Sequence, residues 1–444
     1  MHDGRGRPGL PRSGSWPPAA AAALLACALL ATPAAGQEAP YRTPRAGEGF
    51  ETEVFGQRVL VPRRDRGRTL ALTLGAAAFD PPLVAGAVTP VFNVYWLRYW
   101  QSRRIYALFS GVFNRVEYGE HLWSSPGYPH GPLLEAVAAA ENFTVPAPLL
   151  ESRPSGRAAR GSEVWWGRTS LDLGLGVRRG VFPFGFDNDG RIQLLARAEW
   201  DYFRRHEDTA PGAIVPDTTA ALGGRLLLRL DGLERNLLEL PHQGIAFGGA
   251  VDLLRRLDWR EPGVRGPDGA RQSAAGSANV LRASGYAFAA LGVPGLSERH
   301  RLVAQVHAGW SPPGWVDRFS AFRLGAGPYQ SEAFDLRRIA YPGAAFEQLA
   351  AQSYAIGGLT YRYELTFFTY LHARVLAAWG RIGEWDDAGW RLRFVPRSGL
   401  AYSAGVTTGF LWESQILIEY TFDTGLARDG REGHSVLLLW SKAL

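Results

Sequence analysis

From Arg68 almost to the last residue, polar and apolar side chains alternate with a period of two, and this alternation constrains the fold more than any other feature. In Arg191 to Tyr202, the residues Ile192, Leu194, Ala196, Ala198, Trp200 and Tyr202 share one face, and Arg191, Gln193, Arg197, Glu199 and Asp201 share the other. Successive side chains of an extended strand point to opposite faces, so a segment of this kind is a strand with one apolar and one charged surface. The pattern recurs: Trp165, Thr169, Leu171, Leu173, Leu175 and Val177 oppose Arg168, Ser170, Asp172 and Arg178, while Leu222, Leu226, Leu228 and Leu230 oppose Arg225, Arg229 and Asp231. Leu302, Ala304, Val306, Ala308 and Trp310 oppose Gln305 and His307, and Ile416, Ile418, Tyr420 and Phe422 oppose Glu419, Thr421 and Asp423.

Alternation alone does not separate a soluble sandwich or propeller, whose apolar faces meet in a core, from a membrane barrel, whose apolar faces meet lipid. Three features favour the barrel. Charges crowd the polar face deep within strands, Trp and Tyr sit near strand ends in the manner of interfacial girdles, and an export signal precedes the strands. That signal has Arg5, Arg7 and Arg12, an apolar run from Ala19 to Ala31, and small residues around Ala34-Ala35-Gly36. The run is too short for a spanning helix, and no later stretch is long and apolar enough for one, so membrane embedding must use strands. The expectation is an all-β, transmembrane antiparallel β-barrel of about 14 to 16 strands, with 16 preferred.

The predicted organisation is a signal peptide over residues 1–36, a short periplasmic lead-in over 37–66 and the barrel over 67–444. Predicted loops run from Glu120 to Gly161, Asp208 to Thr219, Glu261 to Ser277 and Pro328 to Gln352, with the segments between Val54 and Tyr118 least regular. Cys27 is the one cysteine; it reads as part of the signal's apolar run, with lipidation at a lipoprotein box as the alternative. Without it there is neither a disulfide nor a thiolate metal site. The net charge of +6 includes the signal arginines, no basic block marks a nucleic-acid partner, and Lys442 is the only lysine.

Four landmarks of the second half occur in the order found in the bacterial surface antigen superfamily, which the chain resembles over about residues 220 to 444. Asp231 to Asn236, followed by Pro241-His242-Gln243-Gly244, is similar to that family's turn motif, with Asp231, Asn236, Pro241 and Gly244 as its marked positions. Phe319 to Gly327 looks like the approach to its large sixth extracellular loop. Gly357 to Phe367 and Tyr370 to Gly380 resemble the strand pair after that loop, and Tyr402 to Phe410, Ile416 to Phe422 and His434 to Trp440 resemble the closing strands. The resemblance implies a role in outer-membrane biogenesis or in protein or lipid translocation, with outer-membrane lipid and protein or lipid clients as partners, and passage through a weak strand seam.

This sequence departs from the family at several points. The family's loop carries an arginine in a hydrophobic-Arg-Gly-aromatic motif that meets acidic groups of the wall. The nearest match here is Leu336-Arg337-Arg338-Ile339, without Gly or aromatic, and the wall positions fall near Thr360 and Ala378, which are not acidic. Arg362 and Glu364 share the lumenal register, which leaves two arrangements open: Glu364 as a substitute partner for Arg337, or a local pair between Arg362 and Glu364. The lead-in leaves no separate periplasmic receiving domain, and Ser441 to Leu444 follow Trp440 where such barrels end on an aromatic.

Enzyme motifs are absent: there is no Gly-x-Ser-x-Gly elbow, His-Glu-x-x-His or phosphate loop. The pairs His434-Ser435 and His307 with Ser311 lack a third member, and adjacent strand residues face opposite ways, which disfavours a lipid-modifying barrel enzyme. His206, Glu207 and Asp208 read as a solvated loop edge, and no cofactor or metal is expected. A passive porin or solute channel stays open beside the family-derived role.

Overall fold

A computed structural model describes residues 41–444 apart from 55, 84–85, 145–148, 154–156, 186, 261–262, 266–270, 274–276, 326–335, 339, 387–390 and 410–413. The predicted signal peptide and Cys27 lie outside the described residues. Sixteen antiparallel strands close into one barrel among the described residues. They are β1 (Arg68–Leu83), β2 (Gly86–Tyr99), β3 (Arg103–Phe109), β4 (Phe113–Ser124), β5 (Leu133–Thr144), β6 (Val164–Gly180), β7 (Asp189–Arg205) and β8 (Thr219–Asp231). Then follow β9 (Pro241–Arg256), β10 (Asn279–Gly292), β11 (His300–Trp310), β12 (Leu349–Thr366), β13 (Thr369–Asp386), β14 (Arg391–Thr408), β15 (Ser414–Asp423) and β16 (Gly433–Ala443). No helix of the described residues is long and apolar enough to cross a membrane.

Each face of the alternation lands where its chemistry places it. Leu171, Leu173, Leu175 and Val177 of β6 and Ile192, Leu194 and Trp200 of β7 are exposed on the outside, whereas Asp172, Arg191, Arg197, Glu199 and Asp201 are buried inside. An outward apolar surface on a closed sheet is a lipid-facing band, since closure leaves no backbone edge unpaired in hydrocarbon. The lead-in meets the wall at the end where β8 turns into β9, and the turns at that end, such as 100–102 and 367–368, are short. The opposite end carries the long connections 145–163, 257–278 and 311–348. The short turns therefore gather at the lead-in end and the long connections at the other.

Two features differ from the sequence reading. The segment from Glu120 to Gly161, expected as one loop, contains β5, whose small alternating residues Ala136, Ala138 and Ala140 hide the period-two contrast in hydropathy. Strands β1, β2 and β3 likewise order much of the region that reads as least regular. The expected weak seam is fully paired: β16 meets β1 from His434↔Asp80 through Ala443↔Ala71, and β15 meets β16 over a stretch of the same length. The tail past Trp440 is part of this seam, where Ser441 Oγ and Thr73 Oγ1 are 2.9 Å apart.

Candidate functional site

The lumen is lined by two unlike walls. Along β3 to β10 the inward positions form a ladder of arginines and carboxylates. Arg104 donates to Glu117 at 2.5 Å and to Glu135 at 3.3 Å, Arg178 and Arg191 both donate to Asp189, and Arg197 lies 2.9 Å from Asp172. Arg225 grips Asp252 at 2.6 Å and 3.0 Å, and Arg256 reaches Asp317 in the connection after β11. Buried charges persist only where partners and hydrogen bonds satisfy them, so a ladder of this length fixes the spacing of the wall strands. Guanidinium suits the task because its fork binds two carboxylates at once.

Across the lumen, part of β12 to β16 with β1 and β2 presents an apolar inner surface against which the connection between β11 and β12 is folded, while nearer the lead-in the same wall buries His372 and Arg374 against Glu419. Tyr341, Ala344 and Ala345 of that connection are fully buried in one cluster with Phe79, Val91, Leu376, Ile382, Leu437 and Leu439. Polar contacts seat the same loop. Tyr341 Oη donates to Leu400 O at 3.4 Å, Ser435 Oγ to Pro342 O at 3.1 Å, Gln348 Nε2 to Ala427 O at 3.3 Å and Arg428 Nη1 to Gly343 O at 3.3 Å. Phe322–Leu324, just before the loop turns inward, pairs with Leu349–Ala351, so the far ends of the loop are stitched together.

Leu336 is buried with Leu233, Tyr286, Phe288 and Val303, and Arg337 lines both a cavity of about 180 Å³ toward the lead-in and a larger one of about 390 Å³. Both cavities are lined by Arg115, Leu227, Gly249, Tyr286 and Arg337, so they adjoin. The charge of Arg337 acts on Glu117 of β4 and Glu141 of β5. Arg338 stacks over Phe346 at 5.1 Å. Thr360 and Ala378 face inward and are buried.

Arg362 and Glu364 are both buried on the lumenal face but do not pair. Arg362 Nη1 donates to Pro241 O at 2.7 Å, and Glu364 accepts from Tyr41 Oη and, at 2.7 Å, from Thr43 Oγ1. Glu364 is thus taken by the lead-in, a contact that sequence reasoning missed because its partners lie more than 300 residues apart. Burial, with the hydrogen bond to Glu364, pushes the Tyr41 phenol above its ordinary range.

The turn between β8 and β9 is a compact knot at the lead-in end of the barrel. Asp231 Oδ1 accepts from Leu233 N at 3.1 Å and Oδ2 from Arg235 at 2.7 Å, while Asn236 Oδ1 accepts from Leu238 N and Leu240 N. Gly244 has φ +105°, and a Cβ there would sit 2.1 Å from Gly232 O, so only glycine fits. Pro241 supplies the carbonyl that Arg362 binds. The lead-in fastens onto this knot: Arg45 pairs with Glu234 at 2.8 Å, and Arg64 and Arg66 pair with Glu239.

The remaining candidates stay apart. His434 lies outside with its Nδ1 2.7 Å from Tyr420 Oη, whereas Ser435 points inward to the loop. His307 and Ser311 are both buried, and Ser311 Oγ has no hydrogen-bond partner. His206, Glu207 and Asp208 bring ligand atoms within 4.8 Å of one another, but the last two are exposed and His206 Nδ1 accepts from Asp208 N.

No protein-family model matches the chain, and no curated protein does. Among solved structures it is similar to BamA from Haemophilus ducreyi lacking POTRA domains 1-3, with 10% identity, 89% of this chain and 75% of that one covered, and a TM-score of 0.48. CdiB from Acinetobacter baumannii gives 11% identity, 90% of this chain, 66% of that one and a TM-score of 0.43. The toluene transporter TodX of P. putida gives 13% identity, 86% of this chain, 91% of that one and a TM-score of 0.32. The protein is a bacterial outer-membrane barrel. BamA and CdiB are barrels of the surface antigen superfamily, but at these identities and TM-scores no likeness carries an argument about this chain's activity.

Proposed function

We propose that this barrel works in outer-membrane biogenesis or in the passage of protein or lipid clients, with its inner loop as a plug, and not as a constitutively open solute channel. The observation that supports this reading is the loop seated in the lumen, with Tyr341, Ala344 and Ala345 buried against the apolar wall. A passive pore needs a continuous wet path, and the connection seated in the lumen occupies part of that path. The paired seam argues that any client meets the barrel through its mouths before it meets a lateral opening.

Conductance in a planar bilayer tests the reading. The intact protein is expected to stay closed, and replacement of residues 326–346 by a short Gly-Ser linker is expected to give steady openings. Large steady pores in the intact protein would leave a porin.

A further inference from the structure

The turn between β8 and β9 reaches across the lead-in end of the barrel instead of lying along its rim. In the ring of sixteen strands, β1 and β15 each stand seven strands from β8, close to diametrically opposite. The turn touches the far rim at both places. At the first, Glu239 accepts from Arg66 Nε at 2.8 Å and from Arg64 Nη2 at 2.7 Å. Arg66 is itself anchored at the foot of β1, where its carbonyl accepts from Thr69 Oγ1 at 3.1 Å and the carbonyl of Gly67 accepts from Tyr99 N at 2.8 Å. At the second, Gln415 Nε2 of β15 donates to Leu238 O at 3.4 Å, and Leu238 and Leu240 are buried with Tyr370 of β13. The fit there is close enough that a Cβ at Gly409, just past β14, would sit 2.2 Å from Leu238 Cδ2. The lead-in is bound to the same turn, with Ala46 N donating to Arg235 O and Leu237 N to Pro44 O, both at 3.0 Å. The cavity of about 180 Å³ is lined both by Asp231, Arg235 and Glu239 of this region and by Leu336 and Arg337 of the inner loop, so it lies between the turn and the plug.

We propose that the β8–β9 turn is a lid over the lead-in mouth of the lumen, a second closure apart from the inner loop, and that the ion pairs of Glu239 with Arg64 and Arg66 are its latch. The hydrogen bonds that Asp231 and Asn236 accept from backbone N–H groups of the turn give the lid a shape of its own, independent of the far rim. Its hold on the opposite side of the ring is of another kind, a buried carboxylate shared by two guanidiniums and a leucine seated against a glycine. Removing one partner of a buried ion pair leaves the other charge uncompensated, so the latch is the place where a single substitution releases the lid. This inference does not rest on the plug reading, because the lid closes the other end of the passage and can fail or hold by itself.

Planar-bilayer conductance decides the matter, with the chain whose residues 326–346 are replaced by the Gly-Ser linker as background, so that the lid limits the current. Glu239→Gln is expected to raise the conductance of that chain by at least about threefold. Arg64→Gln/Arg66→Gln, which undoes the latch from its other partner, is expected to act alike. The cysteine pair Leu238→Cys/Gly409→Cys, added to the Glu239→Gln chain, is expected to cancel the rise when oxidised and to restore it when reduced, because a disulfide forms only while the turn sits at the far rim. That reversal needs a folded barrel in both states, and it separates movement of the lid from a general loosening of the wall. An intact parent that already conducts would sink the plug reading alone, and the lid would still be tested in the same background. The proposal is overturned if neither latch variant raises the conductance, or if oxidising the cysteine pair leaves the raised conductance in place.

Discussion

The two walls of the lumen solve one problem with opposite chemistry. Strands β3 to β10 pair most of their inward charges with one another, with Arg256 and Arg168 reaching Asp317 and Phe319 O of the connection after β11. Strands β12 to β16, with β1 and β2, turn apolar residues such as Leu376, Ile382 and Leu439 inward and depend on the loop to cover them. A wet lumen is tolerable for the first wall and costly for the second, which is why the loop packs on one side and leaves its cavities on the other. The difference teaches that most of the plug's apolar contact belongs to the fold of one half of the protein, with Leu336 alone of the buried cluster residues reaching Tyr286, Phe288 and Val303 among the described residues.

The comparison is broken most directly at Tyr341. Tyr341→Ala is expected to destabilise the folded barrel by about 4 kcal/mol in urea unfolding from lipid vesicles, since it leaves a cavity under the seated loop. On the other wall, Glu199→Gln is expected to cost about 3 kcal/mol by the same measurement, because three guanidiniums lose charge they share. Equal loop cleavage by protease in the two variants would contradict the division of labour; the tyrosine variant should be cut far faster. A smaller effect follows from Glu347, whose carboxyl burial pushes from 4.5 up to about 7 against the pull of Arg323, Arg338 and Arg168. A folded pKa above the unfolded one adds stability at low pH and loses it between about 4.5 and 7 as pH rises. Protease sensitivity of the loop should therefore increase through that window, and Glu347→Gln should flatten the profile. The smallest change is Tyr41→Phe, expected to cost about 1 kcal/mol of stability with no effect on the seated loop.

Much of this architecture is legible from residue order, because a strand's two faces are written in consecutive letters. Ile192 to Trp200 is exposed and Arg191 to Asp201 buried in the register the alternation dictates. Strand β5 escaped because Ala136 and Ala138 look neutral at the outward positions where a leucine would have announced lipid. The loop's seating was illegible for another reason: Tyr341, Ala344 and Ala345 form no pattern of their own and acquire meaning only against residues from seven strands. Arg362 and Glu364 were placed on the correct face, yet their partners Pro241, Tyr41 and Thr43 come from distant segments that a register cannot reveal. The arginines of the ladder were visible singly; what no single strand contains is the sharing of each carboxylate among neighbours.

The fastening of the lead-in also imposes an order of events. Tyr41 and Thr43 leave the synthesis machinery early, but they close on Glu364, which arrives more than 300 residues later, and Thr43 N meets Glu298 only slightly sooner. Closing so long a chain loop has an entropic cost that is met only when both ends are already held in place. The strap is accordingly closed in two steps: Arg45, Arg64 and Arg66 find Glu234 and Glu239 in the β8–β9 turn, whereas Tyr41 and Thr43 have Glu364 to hold only once β12 has joined the sheet.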